Sequence, residues 1–165
     1  GLHSNGYSLA RRVLLEDGGL TVESRVSDLD RSLGEVLLTP TRIYAKQILA
    51  LAAEYSIKGI AHITGGGLTE NLPRVLPSGC LAKLHRGSWP VPPIFTLLKK
   101  IGRIETEEMY RVFNMGIGLV LVAPAAQADA VIARAAELGD KGYRIGEIVA
   151  GEGEARVDYV GTEGS

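Results

Sequence analysis

The sequence predicts an α/β domain of the α+β type, a mixed β-sheet flanked by helices. Three features predict it. Apolar segments of strand length alternate with segments whose apolar residues recur at helical spacing. Glycines, 21 in 165 residues, gather at the junctions between those segments, well above the usual share of about 7%. Two strand-like segments near the carboxyl end flank Gly151-Glu152-Gly153, a run suited to a hairpin turn. That closing hairpin makes the sheet mixed rather than purely parallel.

The first helix is predicted from Ser4, as cap, to Glu16, with Leu9, Val13 and Leu14 as its apolar stripe and Gly18-Gly19 as its stop. Residues 20–40 read as irregular, charged at Asp28, Asp30, Arg31 and Glu35. A helix follows over 43–55, with Tyr44, Ile48, Leu51 and Ala52 on one face. Residues 58–64 read as a strand that runs into Gly65-Gly66-Gly67. A short helix then starts at Thr69 and ends before Pro77, because the residue before a proline avoids helical backbone. Residues 79–85 read as a strand with Leu81 and Leu84 apolar. Trp89-Pro90-Val91-Pro92-Pro93 is a rigid turn, since three prolines fix φ. Helices over 94–101 and 105–113 follow, the second with acidic residues in its first turn, which suits the helix dipole. Residues 114–118 form a flexible junction. A strand over 118–123, a helix over 124–139 opened by Pro124, a strand over 143–150 and an edge strand over 154–160 complete the chain.

The composition suits one globular domain with a real core: 45% hydrophobic residues and a mean hydropathy of +0.11. A net charge of -1 and a pI near 6.4 give no electrostatic case for nucleic acid or an anionic membrane. The apolar runs at 48–53 and 117–126 are far shorter than the roughly 20 residues of a spanning helix. Gly1-Leu2-His3-Ser4 shows no basic region followed by an apolar stretch, so no signal peptide is expected there. Cys80 is the only cysteine, so no intrachain disulfide forms, and a reducing cytoplasm is the expected compartment.

The most informative stretch is Ala61-His62-Ile63-Thr64-Gly65-Gly66-Gly67-Leu68-Thr69-Glu70-Asn71. Glycine tolerates positive φ, so a glycine triplet can turn backbone N–H groups toward one point. A helix start adds unpaired N–H groups and a partial positive charge. The two together suit a phosphate. The competing reading is close packing of strand against helix, and Glu70 would oppose an anion brought too near it. His3-Ser4-Asn5-Gly6-Tyr7 offers a second helix start, or an ordinary cap. His62 is either a structural strand residue or a donor beside the glycine turn. His3, His62 and His85 are scattered and Cys80 has no CxxC partner, so no structural zinc is expected. There is no GxSxG elbow for serine hydrolysis. Asp28 and Asp30, and Glu105, Glu107 and Glu108, read as surface or helix-start charges. Arg111 and Asn114 lie near enough to the Gly116 and Gly118 turn to be weighed as ligand contacts.

Five segments occur in order: Gly1-Leu2-His3-Ser4-Asn5-Gly6-Tyr7-Ser8-Leu9, Ala61-His62-Ile63-Thr64-Gly65-Gly66-Gly67, Asn71-Leu72-Pro73-Arg74-Val75-Leu76-Pro77, Trp89-Pro90-Val91-Pro92-Pro93-Ile94-Phe95 and Phe113-Asn114-Met115-Gly116-Ile117-Gly118. Together they resemble the carboxy-terminal domain of aminoimidazole ribonucleotide synthetases, the phosphoribosylformylglycinamidine cyclo-ligases. The resemblance covers nearly the whole chain. It implies a cytoplasmic reaction of purine biosynthesis. ATP phosphorylates the amide oxygen of formylglycinamidine ribonucleotide, an internal nitrogen closes the imidazole ring, and phosphate leaves. Positioning and charge stabilisation would carry the catalysis.

The resemblance also implies an amino-terminal domain, absent here, that holds much of the ATP and Mg2+ site and makes the contact of a homodimer. Residues 1–165 are then a single carboxy-terminal domain, incompetent for turnover alone. The expected substrate- and phosphate-binding residues are His3, Ser4, Asn5, Gly6, His62, Thr64, Gly65, Gly66 and Gly67. No general base and no metal ligand is assigned. A non-catalytic binding or assembly module, its glycines serving packing alone, is the alternative.

Overall fold

A computed structural model of the chain describes residues 1–161. Its elements are helices α1 (Tyr7–Arg11), α2 (Leu33–Leu37), α3 (Ala45–Glu54), α4 (Gly67–Asn71), α5 (Pro93–Gly102), α6 (Thr106–Val112) and α7 (Ala128–Glu137), with strands β1 (Gly59–His62), β2 (Cys80–His85), β3 (Leu119–Val122), β4 (Gly146–Ala150) and β5 (Arg156–Val160). The α/β class is as expected. Among the described residues no helix is long and apolar enough to cross a membrane.

Contacts divide the chain into two compact units. The first comprises Gly1–Arg42, Ile63–Glu70 and Pro90–Gly118; the second comprises Ile43–His62, Asn71–Trp89 and the chain from Leu119 onward. The first unit is helical. Its α1 begins at Tyr7 rather than at Ser4, with Gly6 in the left-handed region at φ +77 as the boundary residue. Ser4 caps nothing; its hydroxyl shares a hydrogen bond with that of Thr41 at 3.0 Å. The helix widens into a π-turn over Arg12–Asp17, where the Gly18 N–H donates to the Val13 carbonyl at 2.9 Å. Val13 and Leu14 are buried there, as their spacing predicts, and Gly18 closes the turn. Helix α5 packs against this turn and against α6. The Tyr7 hydroxyl donates to the Leu37 carbonyl, which ties α1 to α2, and burial pushes the Tyr7 phenol above its ordinary pKa.

Helix α2 lies inside the stretch read as irregular. A capping box starts it. The Glu35 N–H donates to Ser32 Oγ at 3.4 Å, while the Ser32 N–H and hydroxyl donate to Glu35 Oε2 at 2.9 and 2.6 Å. The hydroxyl bond first, and the backbone bond second, hold the Glu35 carboxyl below its ordinary pKa of 4.5. A carboxyl with a lowered folded pKa contributes stability above its unfolded pKa and loses that contribution as pH falls through the folded value. Replacing Ser32 by alanine is therefore expected to cost about 1 kcal/mol near pH 7. In urea unfolding, the deficit should shrink at pH 3. An equal deficit at both pH values would mean the Glu35 carboxylate takes no part in the cap.

The second unit holds all five strands, divided between two small sheets. β1 pairs antiparallel with β3, Ala61 opposite Val120 and Ile60 opposite Leu121. Ala61 is buried while Ile60 and His62 are exposed, the alternation a strand with one covered face should show. Helices α3 and α7 pack together through Leu51, Val131 and Ala135, with Leu121 and Ala123 against them. Arg134 on α7 clasps Glu54 on α3 with both its Nε and an Nη, at 2.9–3.1 Å.

The other sheet has the order β4-β2-β5. β4 runs antiparallel to β2 and β5 parallel to it, so Gly151-Glu152-Gly153 closes no hairpin. β2 lies between the two strands. Gly79, just before β2, donates to the Gly153 carbonyl and accepts from the Gly151 N–H, each at 2.8 Å. The turn is thus wrapped around the start of a third strand. β5 is an edge strand as expected, and Leu81 and Leu84 are buried on β2. Cys80 is half-buried.

Candidate functional site

The glycine run sits between β1 and α4, and α4 starts two residues earlier than Thr69, at Gly67. Each glycine has a different neighbour. Gly65 is exposed, and a Cβ there would stand 3.5 Å from Asn5 Oδ1, ordinary contact. A Cβ on Gly66 would meet the Glu70 side chain, its Oε2 at 2.5 Å and its Cβ at 2.7 Å. Gly67 has φ +57, and a Cβ there would lie 2.1 Å from the Tyr110 carbonyl oxygen and 2.8 Å from that of Phe113. The Gly67 N–H donates to the Thr64 carbonyl at 3.0 Å, and the Glu70 N–H to that of Gly66.

These distances separate the two readings of the triplet. Gly67 is required by packing, since the backbone at the end of α6 occupies the place a side chain would take. Its N–H closes a turn instead of facing a ligand. Gly66 lies under a carboxylate, which disfavours an anion on that side. Gly65 is the open glycine, and the polar group beside it belongs to the other predicted segment. The first unit therefore brings Asn5 to the Gly65 loop, although 60 positions of sequence separate them.

His3 is half-buried and takes φ +58, an uncommon value for a residue with a side chain. Ser4 is exposed, and Thr41 shares its hydroxyl bond. Gly6 is pressed by the Phe113 ring, whose Cε1 would be 2.4 Å from a Cβ. His62 belongs to the second unit, at the exposed end of β1, edge-on to Tyr44 with ring centroids 6.2 Å apart.

The two side chains weighed as ligand contacts are otherwise engaged. Glu108 grips the Arg111 guanidinium at 2.8 and 2.9 Å; this pairing raises the pKa of Arg111 and lowers that of Glu108. Asn114 is buried, donating from Nδ2 to the Gly1 carbonyl at 3.2 Å and accepting the Gly116 N–H at Oδ1 at 2.8 Å. The junction over 114–118 is thus a bonded turn. Its signal in the sequence was Asn-Met-Gly, because asparagine accepts a backbone N–H two residues ahead. The position of Glu70 over Gly66 had no such signal, since a helical spacing of four says nothing about which rotamer the carboxylate takes. Among the described residues no three His, Cys, Asp or Glu side chains converge to hold a metal ion.

Fold and loop together define a class: an α/β domain that presents a glycine-rich turn and a second, asparagine-bearing segment side by side. Known proteins narrow it. Residues 1–158 match the family described as AIR synthase related protein, C-terminal domain, and the chain belongs to that family. It is 56% identical, over 97% of its own length, to a phosphoribosylformylglycinamidine cyclo-ligase of Syntrophotalea carbinolica. It is 51% identical, over 99% of its length, to one of Brevibacillus brevis. It spans 46% of each of those two relatives, less than half their length. Two solved structures share the fold at 19% identity. The hydrogenase maturation protein HypE of E. coli aligns over 94% of this chain and 44% of its own at a TM-score of 0.59. A thiamine-monophosphate kinase of Stenotrophomonas maltophilia aligns over 94% and 48% at 0.60.

Proposed function

We propose that the chain is the carboxy-terminal part of an ATP-dependent cyclo-ligase that converts formylglycinamidine ribonucleotide to aminoimidazole ribonucleotide with ADP and phosphate, in the cytoplasm. The chain contributes one wall of the substrate site and is inactive without an amino-terminal half, which holds most of the ATP site and the homodimer contact. Identity above 50% to proteins named for that reaction supports the reading. Within the chain, the carrying observation is the approach of Asn5 to Gly65. A polar side chain beside an open glycine turn suits a phosphate or the polar edge of a ribonucleotide. We place that ligand on the Gly65 side, among His3, Ser4, Asn5, Gly6, Thr64 and Gly65, away from the Glu70 carboxylate. His62, Gly66 and Gly67 are then secondary. The role of these residues is to bind and orient. Among the described residues no three His, Cys, Asp or Glu side chains converge, and Mg2+ would be held mostly by the amino-terminal half.

Calorimetric titration with formylglycinamidine ribonucleotide, beside magnesium-ATP, tests the assignment. The ribonucleotide should give heat and Gly65→Val should abolish it, by at least a tenfold loss of affinity, with the thermal midpoint unchanged. Heat that survives the substitution would place the ligand elsewhere. No heat from the chain alone, recovered on adding the amino-terminal half of a cyclo-ligase, would make the site composite.

A further inference from the structure

One turn touches both segments of the proposed site. The ring of Phe113 presses on Gly6, the carbonyls of Tyr110 and Phe113 seat Gly67, and the Thr69 hydroxyl donates to the Tyr110 carbonyl at 3.3 Å. Asn114 then reaches back to the chain just before His3. Its buried amide bonds the Gly1 carbonyl through Nδ2 while Oδ1 holds its own turn through the Gly116 N–H. Those two bonds engage one amide hydrogen of the donor group and the acceptor, and both partners are backbone. The side chain faces the protein, so it serves the site through what it holds.

We infer that Asn114 is a positioning residue. It fixes the backbone at Gly1, and thereby the spacing of His3, Ser4 and Asn5 from the Gly65 loop, without touching the ligand. The inference rests on the reading of the site given above. It differs from a merely structural role in being local. Residues 3–5 should depend on the Nδ2 donor, and the buried helices α5 and α6 should not.

Asn114→Asp isolates that donor. The carboxylate keeps the volume and still accepts the Gly116 N–H, but it presents an oxygen to the Gly1 carbonyl. Backbone order parameters read by NMR relaxation on this chain should fall at Ser4 and Asn5 from about 0.85 to below about 0.6, with Leu98 and Met109 unchanged. Titration with inorganic phosphate, followed by the Asn5 and Gly65 amides, should weaken at least fivefold. Lowering the pH through the pKa of the new carboxyl restores an O–H donor, so the order parameters at Ser4 and Asn5 should return toward those of the wild type. Asn114→Ser, whose hydroxyl accepts the same turn bond but is too short to reach Gly1, gives the same comparison if the aspartate variant does not fold. Unchanged order at residues 3–5 in either folded variant would overturn the inference. A wild type that ignores phosphate would instead overturn the site, and the relaxation comparison would still decide the role of Asn114.

Discussion

Gly67→Ala is expected to cost about 3 kcal/mol of stability or more. Two independent terms add. The residue has φ +57, where a side chain costs about 1 kcal/mol. The new Cβ would stand 2.1 Å from one carbonyl oxygen and 2.8 Å from another, both on backbone at the end of α6. Neither oxygen can swing aside as a side chain would, because Tyr110 and Phe113 are buried. Relief requires α4 and α6 to part, and overpacking of this kind costs about 1–3 kcal/mol. A domain of this size is stable by about 5–15 kcal/mol, so the variant should lose a large fraction of it. Gly65→Ala is the control, since its Cβ meets only Asn5 at 3.5 Å and should change stability by less than about 0.5 kcal/mol. Urea unfolding of both variants gives the comparison. Equal midpoints would refute the packing of α4 on α6 described above. The contrast also decides which glycine of the triplet serves the fold.

How far the sequence could be read follows from where its signals are local. Strands and helices with one covered face were legible. Val13 and Leu14 on the first helix and Leu81 and Leu84 on β2 are buried, and Ala61 alternates with the exposed Ile60 and His62 on β1. The capping box of α2 is equally local, Ser32 three residues before Glu35, but a five-residue helix offers little periodicity to support it. The split of β4 and β5 around β2 was illegible, since a glycine turn looks the same whether it closes a hairpin or wraps a third strand. The site behaves likewise. The segments around His3 and around Gly65 were visible as glycine-adjacent helix starts. That Asn5 faces Gly65, that Glu70 covers Gly66 and that Tyr110 fills the space beside Gly67 are tertiary facts, and no spacing encodes them.

Phe113→Ala is expected to cost about 4 kcal/mol, the usual range for a fully buried aromatic being about 3–5. The ring is 1% exposed and lies tilted against Phe95 with centroids 5.7 Å apart. Its loss leaves a void next to α5, and it removes the surface on which Gly6 turns the chain into α1. That second role makes the effect separable from a plain cavity. Gly6→Ala alone should be costly, because its Cβ would stand 2.4 Å and 2.7 Å from two atoms of the Phe113 ring and φ is +77. With the ring gone, the clash is gone, and only the strain of the left-handed backbone and a 3.3 Å contact with Val112 remain. The double variant should therefore be more stable than the sum of the single losses predicts, by about 1–2 kcal/mol, within the range seen for residues in direct contact. A double-mutant cycle by chemical unfolding measures this directly. Strict additivity would mean that Gly6 is glycine for its φ alone and that Phe113 does not shape the segment carrying His3, Ser4 and Asn5. A coupling of the expected sign would mean that the aromatic core of the first unit sets where those residues stand, so that a change far inside the unit would alter the proposed site before it unfolds the chain.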